Sequence, residues 1–268
     1  MHMWRIFAGI AVAAGLLVAD GVRVASEQAP PVNVPGIGKP VIVVTRQVTG
    51  SETWTNGNYY LLRGAVFVRQ GATLTIQAGT RVIGEAGSRG TLVVERGGRL
   101  NAIGTREQPI VFTSDQPIGF RGRGDWGGLI LNGRAPVNLK GGIGTGEGDT
   151  GVYGGTDPND NSGVLRFVRV EFSGVEFSPD NELNGIAFQG VGRGTSVDFV
   201  QAHMSRDDAM EWFGGTVDGK HLVPSNAADD AFDWTFGYSG RAQFVAITQR
   251  GDDADNGIEA DDSEFDNN

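Results

Sequence analysis

Two stretches of this chain carry the same acidic pattern in succession. "RDDAMEWFGG" (206–215) is followed by "ADDAFDWTFG" (228–237), so that Asp207, Asp208, Glu211 and Trp212 precede Asp229, Asp230, Asp233 and Trp234 by 22 residues. A looser third copy, "GDDADNGIEA" (251–260), sets Asp252 and Asp253 another 23 residues along. Adjacent carboxylates suit two kinds of chemistry. They act as acid and base on a glycosidic bond, or they offer oxygens to calcium, which takes roughly 6–8 such ligands. If the copies lie on stacked strands, equivalent carboxylates sit about 5 Å apart. Each like-charge pair then costs on the order of 3 kcal/mol at an effective dielectric of about 20. Bound cations, raised pKa values, turn N–H groups or side chains splayed into solvent must offset that repulsion. The metal candidates are therefore Asp207, Asp208, Asp229, Asp230, Asp252 and Asp253, and in an enzyme the first four are the catalytic candidates.

"DPNDNSG" (157–163) is a second cation candidate, with Asp157, Asn159 and Asn161 at alternating positions. It is not an EF-hand loop, because Ser162 stands at the glycine position and Val168 at the terminal glutamate. Asx-turn chemistry alone also accounts for it. Trp212 and Trp234 form a repeated aromatic pair, read first as a core or covering stack and second as a glycan platform. Three weaker motifs carry little. Gly142-Ile143-Gly144-Thr145-Gly146 lacks the Lys-Ser/Thr of a phosphate loop. Arg123-Gly124-Asp125 is a tripeptide that arises easily by chance. His2, His203 and His221 have no zinc spacing.

The elements that position these residues are short strands. "AVFVRQGATLTIQAGT" (65–80) lies over "TLVVERGGRLNAIGT" (91–105), so that Val66, Val68, Gly71, Leu74 and Ile76 recur 26 residues on as Leu92, Val94, Gly97, Leu100 and Ala102. Apolar and polar residues alternate within each unit, which is strand periodicity, and no segment beyond the N-terminus sustains a helical pattern. A repeat of 22–26 residues built from short strands is a β-solenoid signature. An antiparallel sandwich explains the strands but not the fixed period. Leu74 and Leu100 are expected to stack in one core, and the Gly/Asp/Asn-rich insertion 139–163 to project from it as a loop.

The ends and the composition bound the rest. Arg5, the apolar run Ile6 to Ala19 and Val24-Ala25-Ser26 read as a secretory signal over residues 1–26. A Pro-rich linker and lead-in over 27–52 follows, then the solenoid over 53–268. The run is short for a bilayer span, so no membrane span is expected after cleavage. The chain has no cysteine, which excludes disulfides, thiolate metal sites and a cysteine-borne lipid anchor. A net charge of -10 makes nucleic acid a poor partner.

"GATLTIQAGT", "GTREQPIVFTS", "GDWGGLILNG", "DPNDNSGVLRFVRVEF", "EWFGGTVDGKHLV" and "DDAFDWTFGYSGRAQFV" resemble a family of exported Gram-negative bacterial proteins of unassigned function. The resemblance implies an all-β, right-handed parallel β-helix of the pectin lyase-like type, from about Thr53 onward. Such proteins usually continue beyond a "GIEAD" segment, here Gly257 to Asp261, so a C-terminally incomplete sequence is expected. Hydrolases of that class pair "ADDAFDW"-like aspartates with Gly-His-Gly and Arg-Ile-Lys elements, which this chain lacks. Lyases combine calcium with a basic residue, for which Arg206, Lys220 and Arg250 are candidates. The expected function is a secreted or cell-surface, non-enzymatic β-helix that binds calcium and an extracellular polysaccharide or surface component. The alternative is a polysaccharide lyase or glycoside hydrolase using the aspartates.

Overall fold

The structure, a computed structural model, describes residues 38–178 and 181–262. Residues 1–26, expected to be a secretory signal, lie outside the described residues, and His2 with them. Short strands are wound into a parallel coil, and the pairing register reproduces the repeats. Val66 pairs with Leu92 and Val68 with Val94, while Leu74 pairs with Leu100 and Ile76 with Ala102, all in parallel. Leu74 and Leu100 are fully buried in the same core. Among the described residues the helical elements are two three-residue 3-10 turns, Ala86–Ser88 and Glu147–Asp149. None is long and apolar enough to cross a membrane.

One six-stranded sheet positions the acidic repeats. It runs, in space, through Ala65–Val68, Thr91–Val94, Gly128–Asn132, Ile186–Gln189, Met210–Phe213 and Phe232–Thr235. Alternate residues face the coil interior, where Val66, Leu92, Leu129, Ile186, Met210 and Phe232 form one column of the core. Burying one such side chain contributes about 1.5–3 kcal/mol, and the column extends this from rung to rung. The intervening residues Phe67, Val93, Ile130, Ala187, Glu211 and Asp233 form the outward column.

The remaining faces merge into an eleven-stranded sheet. Gly163–Glu171 spans a corner, pairing with Arg99–Ile103 through its first half and Ile110–Ser114 through its second. The corner is turned by left-handed backbone at Phe167, and the later rungs repeat it at Phe199, His221 and Phe244. Their rings stack at 4.6, 4.2 and 4.9 Å, which offsets the cost of positive φ in non-glycine residues. Elsewhere in the coil, Trp126 fills the space that a side chain on Gly84 would need; a Cβ there would meet the indole at 2.5 Å.

Two sequence expectations are corrected here. The coil begins earlier than residue 53, since Val41–Val44 pairs with Tyr59–Leu62 and buries Val41 and Val44. The insertion 139–163 does not project. Its hairpin, Ile143–Gly146 against Gly151–Gly154, folds back over the six-stranded sheet. Val137, Leu139 and Tyr153 cover the outward side chains of Val93 and Ile130, and the Asn132 amide donates to the Thr150 carbonyl at 2.8 Å. A second small hairpin, Glu176–Ser178 with Asn181–Glu182, adds Val175, Phe177 and Leu183 to the same cover.

Candidate carboxylate ladder

Register turns the sequence echo into a ladder. Glu211 lies beside Asp233 and Trp212 beside Trp234 in adjacent parallel strands. The turn before each strand carries the aspartate pair. The backbone N–H of Asp230 donates to Asp208 Oδ1 at 2.8 Å, so Asp207/Asp208 and Asp229/Asp230 occupy equivalent places one rung apart. The next rung does not follow the third "DDA". Phe232 bridges to Ile258, Ala231 N–H donates to Asn256 O, and Asn256 N–H donates to Asp230 Oδ1 at 2.5 Å. The residues brought onto the ladder are therefore Asp255 and Glu259. Asp252 and Asp253 are displaced from it and ion-pair with Arg123, which also donates to the carbonyls of Asn226 and Ala227. The rung from 232 to 258 is 26 residues, and matching strands, not matching turns, sets the register.

Eight carboxylates come together in four overlapping triads, each with one oxygen per residue within 4.8 Å of the others. Two triads, Asp207/Asp208/Asp229 and Asp229/Asp230/Asp255, have the same arrangement one rung apart, as do Asp208/Glu211/Asp233 and Asp230/Asp233/Glu259. Asp208, Glu211, Asp230 and Asp233 are buried. None of the eight makes an ion pair with a Lys, Arg or His among the described residues. Asp230 is 1% exposed, and its Oδ2 has no hydrogen-bond partner; Asp233 Oδ1 has none either.

The electrostatics follow from burial and crowding. Burial, then the charge of Asp229, pushes Asp207 up to about 7. Burial raises Asp233 to about 6. Asp208 and Glu211 rise well above the ordinary carboxylate range, through burial first and then through Asp207 and Asp208 respectively. Glu259 reaches about 7 through its hydrogen bond with Asp230. Such a site holds protons at low pH and favours a cation once ionised.

One member escaped the sequence reading. Asn184 stands one rung before Asp208, since Gly185 N–H donates to Asp208 O just as Ala209 N–H donates to Asp230 O. Its amide Nδ2 donates to Glu211 Oε2. "NGIAF" (184–188) laid over "DAMEW" (208–212) contains the signal, as does "NGIEA" (256–260) over "DAFDW" (230–234).

The other candidates separate from the ladder. Asp157 Oδ1 accepts the N–H of Asn159 at 2.9 Å and Asn161 Oδ1 the N–H of Gly163 at 2.8 Å, so these oxygens are engaged in Asx turns. The glycan platform is corrected for Trp212, which is fully buried between Phe188 and Phe232, with centroids 5.0 and 4.3 Å away. Trp234 is half-buried, edge-on to Phe232. His221 pairs with Asp198 at 2.8 Å and His203 contacts Ser225, both off the ladder. Among the candidate bases, Arg206 lines an open depression of about 380 Å³ with Glu182, Asp207, Ala228, Asp229 and Asp253; Arg250 is paired with Asp252.

A coil of stacked parallel strands is a parallel β-helix. The profile of the pectate-lyase-like β-helix domain family matches residues 46–268, and the chain belongs to that family. No curated protein and no solved structure matches the chain.

Proposed function

We propose that this chain is an exported, non-enzymatic β-helix of a Gram-negative cell surface that binds calcium along the carboxylate ladder. The bound ions would in turn help hold an extracellular polysaccharide or another surface component. The observation that carries the reading is the row of eight carboxylates, four of them buried, none of which forms an ion pair with a Lys, Arg or His among the described residues. Hard oxygen ligands in a flexible, highly charged array suit calcium. An ion that binds only the folded chain stabilises it by about 2.7 kcal/mol at a hundredfold excess over its dissociation constant. Melting curves in chelator and in millimolar calcium test this: calcium should raise Tm, and Asp229→Asn with Asp230→Asn should reduce the rise. Superimposable wild-type curves would refute calcium binding. Binding to a glycan panel with and without calcium tests the partner.

A second reading, a polysaccharide lyase, is favoured by Arg206 beside Asp207 and Asp229 in the open depression. Cleavage products on the same panel, lost in Arg206→Ala and in the double aspartate variant, would move the assignment to that activity.

A further inference from the structure

The loop 115–125, between the strands Ile110–Ser114 and Gly128–Asn132, is firmly braced, yet its tip is bare. Asp115 accepts the N–H of Ala86, and Gln116 N–H reaches Ser114 Oγ. Phe120 N–H closes a turn onto Pro117 O at 2.9 Å. Arg121 donates to the Gln116 carbonyl and to Thr113 Oγ1. Asp125 accepts from Ser114 Oγ and from Gly122 N–H. On this scaffold Ile118 is 85% exposed and Phe120 79%, the barest large apolar side chains among the described residues. Single exposed apolar residues are ordinary, but a pair raised together on a braced turn marks a contact surface.

The surroundings of the tip define what it can meet. Thr113 lies in an outward column with Leu61 and Ile83, beside a second column of Tyr59, Arg81 and Val111. Lys39 Nζ and Arg81 Cζ each lie 5.8 Å from the centre of the Tyr59 ring. Lys39, Arg81 and Arg121 form no ion pair among the described residues. Cations and an aromatic ring beside a bare apolar tip are the composition of a membrane-interface contact. Charge along the coil is divided in the same sense. Residues 38–124 hold eleven Lys and Arg against five Asp and Glu, and residues 125–262 hold nine against twenty-three. The acidic strands Met210–Phe213 and Phe232–Thr235 stand two and three strands beyond Gly128–Asn132. That is about 10–14 Å at ~4.8 Å per strand, against a screening length of about 8 Å at physiological ionic strength. Asp252 and Asp253, which reach back to the loop, are paired with Arg123 and Arg250.

We propose that the tip 118–120, with Arg121 and the basic first coils, docks reversibly on an anionic phospholipid bilayer. Ile118 and Phe120 enter the headgroup boundary, while Arg121, Arg81 and Lys39 meet the lipid phosphates. Like charge holds the acidic half of the coil clear of the same surface. Two apolar side chains anchor only weakly, so attachment needs both the apolar and the electrostatic contribution.

Vesicle flotation of the full chain tests this, in chelator so that no divalent ion bridges carboxylate and phosphate. The chain should float with vesicles of phosphatidylcholine mixed with phosphatidylglycerol, less so as salt is raised, and far less with phosphatidylcholine alone. Ile118→Ser with Phe120→Ser should abolish flotation at unchanged Tm, since neither side chain is buried. Phe120→Leu should retain it. Arg121→Gln should weaken binding about fivefold, the worth of one cation at such a surface, and Arg121→Lys should retain it. Equal loss in both Arg121 variants would make that residue a brace of the loop and overturn its contact with the headgroups. No flotation of the wild type, flotation that survives the double serine change, or equal binding to both kinds of vesicle overturns the docking site. A concentration-dependent oligomer, formed without vesicles and returned to monomer by the double serine change, would assign the tip to a second copy and overturn the lipid assignment.

Discussion

One column of side chains on one sheet changes its chemistry halfway along the coil. Phe67, Val93, Ile130 and Ala187 are apolar, and two folded-back segments cover them. Glu211 and Asp233, the next two steps of the same column, are buried like Val93, Ile130 and Ala187, and carry acid. Backbone geometry and burial are shared, so neither requires the acids. The apolar half shows what this position adopts when it serves only to hold the coil together. The acidic half departs from that solution at a cost in stability, which is the pattern of a site maintained for binding.

Exchanging the chemistry between the halves should produce the largest effect. Ile130→Asp places a carboxylate beneath Val137 and Tyr153, away from every carboxylate cluster among the described residues. A loss of about 3–5 kcal/mol is expected from the lost apolar packing together with the buried charge. Calcium should not restore it. Chemical denaturation with and without calcium checks this, and rescue by calcium would erase the distinction between the halves.

The reverse exchange should stabilise. In chelator, at a pH above its raised pKa, Glu211→Gln removes a buried charge next to Asp208 and Asp233 while keeping an acceptor for the Asn184 amide. A gain on the order of 1 kcal/mol or more is expected, since each pKa unit by which the crowded site disfavours the ionised form is worth about 1.4 kcal/mol. In calcium the same variant should lose its advantage. A variant less stable than the wild type in chelator would mean that the carboxylate is already partnered in the metal-free chain.

The shifted carboxyl groups set a pH dependence of opposite sign in the two conditions. Asp207 near 7 and Asp233 near 6 lie above their ordinary values. The folded chain therefore binds more protons than the unfolded chain between about pH 4 and 7, and stability falls as pH rises through that window. Without calcium, the loss across that window should amount to about 1–3 kcal/mol after solvent screening. With calcium the slope should reverse, because the ion binds the deprotonated ladder. Tm measured from pH 4 to 8 in both conditions gives the crossing, and parallel profiles would break the link between ladder and ion.

Much of this comparison was legible in the residues. The recurrence of Val66 and Leu74 as Leu92 and Leu100 matched the pairing because strand positions inside a coil must repeat. "RDDAMEW" over "ADDAFDW" matched for the same reason. The cover over the outward column was harder to see. "TLVV" and "GLILN" are apolar on both faces, and such continuous runs are the mark of a strand buried on both sides. That signal concerned Val93 and Ile130, while the glycine-rich composition of 139–163 pointed to an exposed loop. Asn184 was obscured because an amide does not stand out beside a series of aspartates, although it occupies the same rung position.

The smallest expected effect tests the register itself. Two assignments compete for the third step of the ladder: Asp252 and Asp253, by likeness of turn, or Asp255 and Glu259, by pairing of strands. The first pair is exposed and held by Arg123 and Arg250, whose own charges already compensate it. Removing these carboxylates leaves every ladder triad intact. Asp252→Asn with Asp253→Asn should therefore leave the calcium-induced rise in Tm unchanged, with at most a slight change in the metal-free protein. Asp255→Asn with Glu259→Gln removes one member from each of two triads and should shrink the calcium response while leaving Asp208, Glu211 and Asp233 untouched. The opposite ranking of the two double variants would mean that solution chemistry follows the repeated turn motif, and that the acids of the last rung reach the ion from 252 and 253.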